Sequence, residues 1–395
     1  MPSEAVIVAA RRTPIGTRGR GLATLTVDQL AAPVLRANLQ DGMVALGKVA
    51  LGDATLGNAV LGEGTLGNVV LGDVVLGNCM GPGGNSARVS ALAAGIDSSV
   101  PGLTVDRQCG SGLAAILLAG DAIRAGDDRL RLAGGVESAS TAPIRSVAGV
   151  PYDRAPFVPT GTPDPDMPRA AEDLATAIGI SRERQDAYAG RSHQRAAAAL
   201  ARGTFREELV PLAGLPSDDA IGSVTELTLG RFPSVYANGT LTGGNSCRIS
   251  DGAAAVLLAP DTAATTVPRL ALLAHATVGC DPSLPGLGAA FAVTAALEQA
   301  GATLAQVAGF EIVEAFAAQI LAVLDRLGLA DDDARVCSDG GALALGHPWG
   351  ASGAVGVVRL FSRLVRGGAP AGTLGVAAAS IGGGMGVAAV FEVRR

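Results

Sequence analysis

Arg107-Gln108-Cys109-Gly110-Ser111-Gly112-Leu113-Ala114-Ala115 is the stretch on which the interpretation of this chain depends. The residues before it, 102–106, have the pattern of a strand, and residues 113–123 have the pattern of a helix. Cys109 is therefore predicted at a strand-to-helix turn, where small neighbours let the backbone approach a ligand. The free N–H groups of a helix N-terminus stabilise a thiolate and the anion of an attacked acyl group. The stretch predicts a cysteine nucleophile, with a buried structural cysteine as the alternative.

Composition limits the class of protein. A length of 395 residues suits two or three domains. The chain is 48% hydrophobic but only 3% aromatic and has 55 glycines, which is typical of an α/β protein with small side chains between helices and sheet. A net charge of -6, without basic runs, predicts no nucleic-acid partner. The sequence has no long apolar run and no signal-peptide pattern. We therefore expect no membrane-spanning helix and no secretion.

The cysteines indicate a reducing compartment. They are odd in number, widely spaced and without a Cys-x-x-Cys pair: Cys79, Cys109, Cys247, Cys280 and Cys337. This spacing predicts neither a disulfide framework nor a zinc site. We therefore expect a cytoplasmic protein without a bound metal.

A Leu-Gly dipeptide recurs every five residues between Leu46 and Gly77. A period of five fits neither a helix nor a strand, and each glycine weakens a helix by about 0.8–1 kcal/mol relative to alanine. A short solenoid is one interpretation, although repeat arrays need neighbours and caps. We favour a low-complexity insert over residues 41–73 that forms a surface loop, followed by a strand at 74–78.

A change of composition marks an inserted region in the middle of the chain. Residues 141–168 are rich in Pro, Gly and Asp, which predicts loop structure. Ser181 then precedes a helix that extends to Arg202. His193 lies on this helix and is interpreted as a solvated residue rather than a catalyst.

The second half of the chain repeats the first in outline. Strand patterns at 270–274 and 310–313 alternate with helix patterns at 289–300 and 316–327. His347 then opens a helix over 351–365, as Cys109 opens a helix in the first half. Two similar halves that meet back to back would bring these two helix starts together.

With these pieces in order, the chain resembles the thiolase family along nearly its whole length. The matching segments follow the family's order: 107–113, 134–138, 181–189, 203–208, 238–240, 314–319 and 340–354. The resemblance implies a five-layer α/β/α/β/α sandwich of two similar halves, with an inserted loop domain that binds coenzyme A, in dimers or tetramers.

The same resemblance divides the chain into three parts. The N-terminal half comprises residues 1–140 and 237–265, with the Leu-Gly insert inside it. The loop domain comprises residues 141–236, and the C-terminal half comprises residues 266–395.

The resemblance also implies the chemistry. Cys109 would attack an acyl thioester, His347 would take the thiol proton, and the N–H groups of Cys109 and Gly382 would hold the oxyanion. In the family, a second acyl-CoA then loses an α-proton and attacks the acyl-enzyme. Coenzyme A is thus a part of the substrate and not a permanently bound cofactor.

Two positions depart from the family in the part devoted to the carbon–carbon step. Ser380 stands where the family has a second catalytic cysteine, and a hydroxyl is a poor base for an α-carbon proton. Val313 stands where the family has Asn or His, which helps to bind the enolate oxygen. Loss of one such donor costs on the order of 10²–10³ in rate.

The positions that the resemblance assigns to substrate binding are Val313, Phe316, Ser246, Cys247 and Gly383. Cys247 replaces a serine that contacts pantetheine in the family, and Gly222 replaces an arginine near the nucleotide. The acyl donor is therefore either an acyl-CoA or an acyl carrier protein thioester.

Three hypotheses follow. The first is an acyltransferase that forms an acyl-enzyme at Cys109 and has an altered second step, either slow Claisen condensation or transfer to another nucleophile. The second is an authentic acetyl-CoA C-acetyltransferase or 3-ketoacyl-CoA thiolase. The third is a non-catalytic binding or assembly subunit.

Overall fold

Strands and helices alternate along most of the chain in a computed structural model that describes residues 3–47, 65–66, 69–222 and 225–395. The strands are β1 (Ala5–Arg12), β2 (Gly16–Thr17), β3 (Thr65–Leu66), β4 (Val69–Gly77), β5 (Gly102–Val105), β6 (Leu130–Glu137), β7 (Arg145–Val147), β8 (Val150–Tyr152), β9 (Ser250–Pro260), β10 (Arg269–Gly279), β11 (Val307–Ile312), β12 (Leu374–Ile381) and β13 (Met385–Arg394). The helices are α1 (Val27–Ala45), α2 (Ser86–Ala93), α3 (Ser111–Arg124), α4 (Met167–Ile178), α5 (Arg182–Ala201), α6 (Glu226–Leu229), α7 (Gly288–Ala300), α8 (Ala317–Leu327), α9 (Ala342–Leu345) and α10 (Trp349–Leu360). Across these ranges no helix has both the length and the apolar character needed to cross a lipid bilayer.

The first sheet has the strand order β5-β4-β6-β9-β1. Strand β4 runs parallel to β5 and β6, whereas β9 runs antiparallel to both β6 and β1. Every residue of β6 and β9 is buried. This burial on both faces explains why these strands are near-continuous runs of small apolar residues.

The second sheet repeats the first, in the order β11-β12-β13-β10. Strand β11 runs parallel to β12, and β13 runs antiparallel to both β12 and β10. The parallel and antiparallel pairings of the second sheet therefore follow the same sequence as those of the first. In this correspondence β10 matches β1, β13 matches β9, β12 matches β6, and β11 matches β4. The predicted internal repeat is confirmed, and a short antiparallel contact between β1 and β10 makes the two sheets continuous.

Helices α3 and α10 form the middle layer between the sheets. Helix α10 contacts β6 and β9 on one side and β11 and β12 on the other, and it packs along α3. The approach is close, because a Cβ on Gly112 would lie only 2.8 Å from the carbonyl oxygen of Gly350. Helices α1 and α2 cover the first sheet, and α7 covers the second, with α8 packed beside α7 in the same hydrophobic core. The result is the expected five-layer α/β/α/β/α sandwich.

The inserted region carries the hairpin β7-β8 and helices α4, α5 and α6. Helix α5 begins as predicted, since the Ser181 hydroxyl accepts a hydrogen bond from the Arg184 N–H at 3.2 Å. The insert is fastened to the sandwich by a buried ionic contact in which Glu208 accepts from Arg12 of β1 at 2.8 Å and from Arg359 of α10.

The predicted surface loop over residues 41–73 needs narrower bounds. Its first residues belong to α1, which extends to Ala45, and its last residues belong to β4, which begins at Val69. The helix tolerates Gly42 because that position packs directly against the side chain of Leu257. The valines of the last repeats favour a strand. Residues 48–64 and 67–68, most of the predicted loop, lie outside the described residues.

Candidate active site

Two helix starts meet at the centre of the molecule. Cys109 lies between β5 and α3, after a turn in which Gln108 adopts a left-handed conformation (φ 47°). His347 lies between α9 and α10. The His347 Nε2 is 3.3 Å from the Cys109 Sγ, which is hydrogen-bond distance for a thiol and an imidazole. The structure therefore brings together the two residues that the sequence placed at matching positions of the two halves.

Ser352 fixes the orientation of the imidazole. Its hydroxyl donates to the carbonyl oxygen of Pro348 at 3.0 Å, so its oxygen is left to accept from the Nδ1–H of His347 at 2.6 Å. With the proton on Nδ1, the lone pair of Nε2 faces the Cys109 thiol. This tautomer is the one that can remove the thiol proton.

Both members of the pair are neutral. Burial raises the pKa of Cys109 to about 12, with smaller contributions from the carboxylates of Glu137 and Asp106 and against the opposing effect of the local backbone N–H. Burial lowers the pKa of His347 to about 4. The N–H at this helix start does lower the pKa of the thiol, as expected, but desolvation outweighs it and the resting sulfur is protonated. Attack by this sulfur would therefore require removal of its proton, and Nε2 of His347 is the acceptor that faces it.

A buried carboxylate connects the start of α10 to the loop after β4. Glu137, at the end of β6, accepts from the N–H groups of Cys79 at 3.2 Å, Met80 at 3.0 Å and Gly350 at 2.9 Å. Burial raises the pKa of Glu137, while these N–H donors oppose the rise. The carboxylate thus joins the loop after β4 to the first turn of α10.

Ser380 lies at the end of β12, and its hydroxyl is engaged by the protein. It donates to the carbonyl oxygen of Gly286 at 2.6 Å and accepts from the N–H of Ala289 at 3.0 Å. The side-chain amide of Gln319 is a more distant donor at 3.4 Å. Ser380 therefore secures the beginning of α7, and its only hydroxyl hydrogen is already committed.

The glycine turn after β12 lies next to the nucleophile. A Cβ on Gly110 would come within 2.5 Å of Ile381, which shows how closely the start of α3 approaches the end of β12. Gly382 follows directly, and Gly383 adopts φ +84°, a conformation that favours glycine. Val313 continues the sheet through its N–H, 2.9 Å from the carbonyl oxygen of Ala378, and its side chain is buried.

The remaining predicted substrate-binding residues line one short contact between two loops. Ser246 pairs with Phe316 through an isolated β-bridge, and the Ser246 hydroxyl donates to the carbonyl oxygen of Thr242 at 2.7 Å. The Cys247 N–H donates to the carbonyl oxygen of Ala315 at 3.0 Å. Burial raises the pKa of the Cys247 thiol, and negative charge on Cys109 would raise it further. Cys247 is therefore a neutral thiol beside the nucleophile.

His193 corrects one prediction. Only 4% of its surface is exposed, so it is a buried residue and not a solvated one. Burial and the charge of Arg248 lower its pKa to about 4. The sequence pattern of α5 does not show which side is covered, because this helix packs against α8 and α9 of the C-terminal half as well as against α6 of the insert.

Sequence reasoning missed two residues of the site. Ser352 stands five positions after His347, and only the helical turn from residue 349 brings its hydroxyl back to the imidazole. Glu137 could have been found from the sequence, because it is a carboxylate that directly follows the apolar run 132–136 at the end of a predicted strand. Together the residues supply a thiol, a neutral base and a tightly packed glycine turn, which suits covalent attack on an acyl carbonyl.

Comparison with protein families matches residues 5–262 to the family described as "Thiolase, N-terminal domain". Residues 267–393 match the family described as "Thiolase, C-terminal domain". The two matches together span nearly the whole chain.

Comparison with individual proteins agrees. A putative acetyl-CoA C-acetyltransferase of Bacillus subtilis is 39% identical, over 98% of this chain and 99% of that protein. The β-ketoadipyl-CoA thiolase of Acinetobacter baylyi is 37% identical, over 98% and 99% of the two chains. Among solved structures, the acetyl-CoA acetyltransferase of Bacillus anthracis has a TM-score of 0.84 and 32% identity, with 99% of each chain covered. Human mitochondrial 3-ketoacyl-CoA thiolase in complex with CoA has a TM-score of 0.83 and 32% identity, covering 100% of this chain and 98% of that one.

Proposed function

Because this chain belongs to the thiolase family of acyltransferases, we propose that Cys109 accepts an acyl group from a thioester and that the step after acylation is altered. The observation that carries the first part is the 3.3 Å contact between the Cys109 thiol and the properly oriented Nε2 of His347. The second part is supported by Ser380 and Val313.

Acylation would proceed by nucleophilic attack. His347 Nε2 takes the thiol proton as the Cys109 Sγ attacks the carbonyl carbon of the thioester, and the carbonyl oxygen becomes an oxyanion near the N–H groups of Cys109 and Gly382. Collapse of this intermediate breaks the bond to the leaving thiolate, which takes the proton back from His347. The products are the acyl-enzyme and a free thiol, with no net change in protons.

The altered second step is supported by two positions, Ser380 and Val313, that lack the groups needed for carbon–carbon bond formation. Condensation needs a base for the α-carbon proton, and the Ser380 hydroxyl is occupied by Gly286 and Ala289. It also benefits from a polar donor at the enolate oxygen, and Val313 has none. Claisen condensation would therefore be slow, whereas acyl transfer to an oxygen, nitrogen or sulfur nucleophile needs no α-proton base and no enolate-oxygen donor.

The proposed donor is an acyl-CoA. Relatives named for acetyl-CoA favour an acetyl donor, and one structural neighbour was solved with CoA. An acyl carrier protein thioester is the second donor, because Cys247 and Gly222 depart from the family at positions that contact CoA. The five free cysteines favour a reducing cytoplasm.

A second candidate is an authentic acetyl-CoA C-acetyltransferase, favoured by the name of the Bacillus subtilis relative. In that case Ser380 and ordered water would suffice for the carbon–carbon step, and Ser380→Cys would change its rate little. A purely binding or assembly role has no such support, because a scaffold has no need of the contact between Cys109 and His347.

Intact-protein mass spectrometry tests the proposal. After incubation with acetyl-CoA the wild type should gain one acetyl group, and peptide mapping should find it on Cys109. Cys109→Ala should gain none, and Cys280→Ala, which removes another free cysteine, should behave as the wild type. Absence of an adduct at Cys109 with acetyl-CoA and with acetylated carrier protein would refute the proposal.

We also propose a dimer built on β5. Among the described strands, β5 pairs only with β4 and leaves one edge open. Exposed apolar side chains surround this edge: Val89, Leu92, Leu103 and Leu118. Light scattering should give the mass of a dimer or tetramer, and Leu103→Lys should shift it towards the monomer.

A further inference from the structure

An aromatic ring from the insert covers the glycine turn beside the nucleophile. Phe157 lies between β8 and α4. A Cβ on Gly382 would come within 2.6 Å of the ring carbon Cε2 of Phe157, and one on Gly383 would come within 3.2 Å of the Phe157 Cβ. The ring therefore occupies the space next to the turn that a side chain would otherwise take.

The ring is held in place by an arginine that forms salt bridges within the insert. The Arg154 guanidinium lies 4.6 Å from the centre of the Phe157 ring, a favourable cation–π distance. Arg154 is itself fixed by Asp164 at 2.8 Å and by Asp166 at 3.1 Å. The Phe157 N–H donates to the second oxygen of Asp164 at 3.0 Å. The position of Phe157 is thus set by both its backbone and its ring face.

The covered turn is adjacent to Cys109. Gly110 packs against Ile381, and Gly382 is the next residue along the turn. An acyl group on Cys109, with its oxygen directed at the Gly382 N–H, would therefore lie close to the Phe157 ring. A ring packed against this turn would stand in the path of an acyl chain that extends past the Gly382 N–H, so a short acyl group would be accommodated more readily than a long one.

We propose that Phe157 is a specificity-determining residue that restricts the acyl group on Cys109 to short chains. This inference rests on the proposed acylation of Cys109 and adds to it the size of the acyl group. The inference does not depend on the second step, so it is the same whichever nucleophile receives the acyl group.

The test compares acetyl-CoA with hexanoyl-CoA as donors. The measured quantity is the rate of Cys109 acylation, followed by mass spectrometry, and the ratio of the hexanoyl rate to the acetyl rate is compared between variants. Phe157→Ala should raise this ratio at least about tenfold, since each methylene that becomes accommodated contributes about 0.8 kcal/mol. Phe157→Leu, a milder change that preserves an apolar filling, should give an intermediate ratio.

Phe291 provides a matched control. It lies on the outer helix α7, and the Arg326 guanidinium lies 5.5 Å from the centre of its ring, so it makes a comparable cation–π contact. Phe291→Ala should leave the ratio unchanged. The inference is overturned if the wild type accepts hexanoyl as fast as acetyl, or if acetylation of Cys109 persists in Phe157→Ala and Phe157→Leu with an unaltered ratio. Failure of both donors to acylate Cys109 in the wild type would instead overturn the proposed function on which the inference rests.

Discussion

The Cys109 thiol and the His347 imidazole face each other as neutral groups. Burial raises the pKa of Cys109 to about 12 and lowers that of His347 to about 4, so proton transfer between them is unfavourable at rest. In the proposed acylation, the thiolate would form only as the attacked carbonyl accepts the developing charge. A resting thiol of this kind is protected from oxidation and alkylation, since both require the thiolate.

This protonation state predicts the pH dependence of alkylation. The rate at which iodoacetamide modifies Cys109 should rise about tenfold per pH unit between pH 7 and pH 10 without a plateau, because the thiolate fraction keeps growing below the pKa. Peptide mass spectrometry measures this rate separately for each cysteine. A small-molecule thiol with an ordinary pKa near 8.5 is the reference, and its rate should level off above that pH. A plateau for Cys109 below pH 8 would show a thiolate–imidazolium pair instead.

The hydroxyl of Ser352 should matter through His347. Ser352→Ala removes the acceptor of the Nδ1–H, and we expect acylation of Cys109 to slow by about 3- to 10-fold, which corresponds to one net hydrogen bond. Ser352→Thr keeps the hydroxyl, and Ser352 is one of the residues that line a cavity of about 30 Å³. Stopped-flow measurement of the released thiol distinguishes the two variants. Equal rates in both would contradict the role given to the hydroxyl.

At the scale of elements, the site is formed by the ends of strands and the starts of helices. Cys109, Glu137, His347 and Ser380 each lie at such a boundary, where backbone groups are free to bind side chains. The hydroxyl of Ser380 illustrates this, because it joins the end of β12 to the first turn of α7.

Removal of that hydroxyl should loosen α7. Ser380→Ala leaves the Ala289 N–H and the Gly286 carbonyl oxygen without their partner, and we expect the free energy of unfolding to fall by about 1 kcal/mol. Urea denaturation followed by circular dichroism measures the change. Thr294→Ala on the same helix is the control, since its exposed hydroxyl bonds only within the helix, and it should change stability by less than about 0.5 kcal/mol. Equal effects of the two variants would show that Ser380 does not secure the helix.

The same boundaries explain how much of the site could be predicted from sequence. Helix starts carry local signals, such as the cap at Ser181 and the small residues around Cys109, and these gave the elements and the meeting of Cys109 with His347. The partner of Ser380 could not be predicted, because Gly286 and Ala289 are far from it in sequence. The state of the Cys109 thiol was also missed, since desolvation depends on the packing of both halves around it.

At the scale of the whole molecule, a buried charge network joins the two halves to the insert. Glu208 accepts from Arg12 at 2.8 Å, from Arg359 and from the Ser362 hydroxyl at 2.7 Å, and it is fully buried. Burial alone would raise the pKa of Glu208, but the two guanidinium groups lower it overall. The carboxylate is therefore ionised and is a shared contact of three parts of the chain.

Breaking this contact should affect the entire fold. Glu208→Gln leaves two buried guanidinium groups without their common carboxylate, and we expect a loss of about 3–5 kcal/mol in the free energy of unfolding. Its neighbour provides the control, because the Glu207 side chain is 74% exposed and Glu207→Gln should cost less than about 0.5 kcal/mol. The midpoint of urea denaturation measures both. A Glu208 variant as stable as the Glu207 variant would contradict the structural role of the network.

The repeat of the two halves could be predicted from the sequence, but the bounds of the loop predicted inside the first half could not. The order of strand and helix patterns was enough to predict two similar halves, and β10 to β13 repeat the directions of the first sheet. The predicted surface loop over residues 41–73 was too long at both ends: packing of Gly42 against Leu257 extends α1 to Ala45, and the valines of the last repeats let β4 begin at Val69.

The central claim is that the half of the site that acylates Cys109 is intact while the half that serves the carbon–carbon bond is impaired. Its most direct test compares two rates in one protein: acylation of Cys109 by acetyl-CoA, and cleavage of acetoacetyl-CoA by CoA. We predict that cleavage in the wild type is at least about 100-fold slower than acylation, the order expected for a lost donor at the enolate oxygen. In Ser380→Cys/Val313→Asn we predict that cleavage rises at least about tenfold while acylation is unchanged. A wild type that cleaves acetoacetyl-CoA as fast as it is acylated, with no gain in the double variant, would contradict the account.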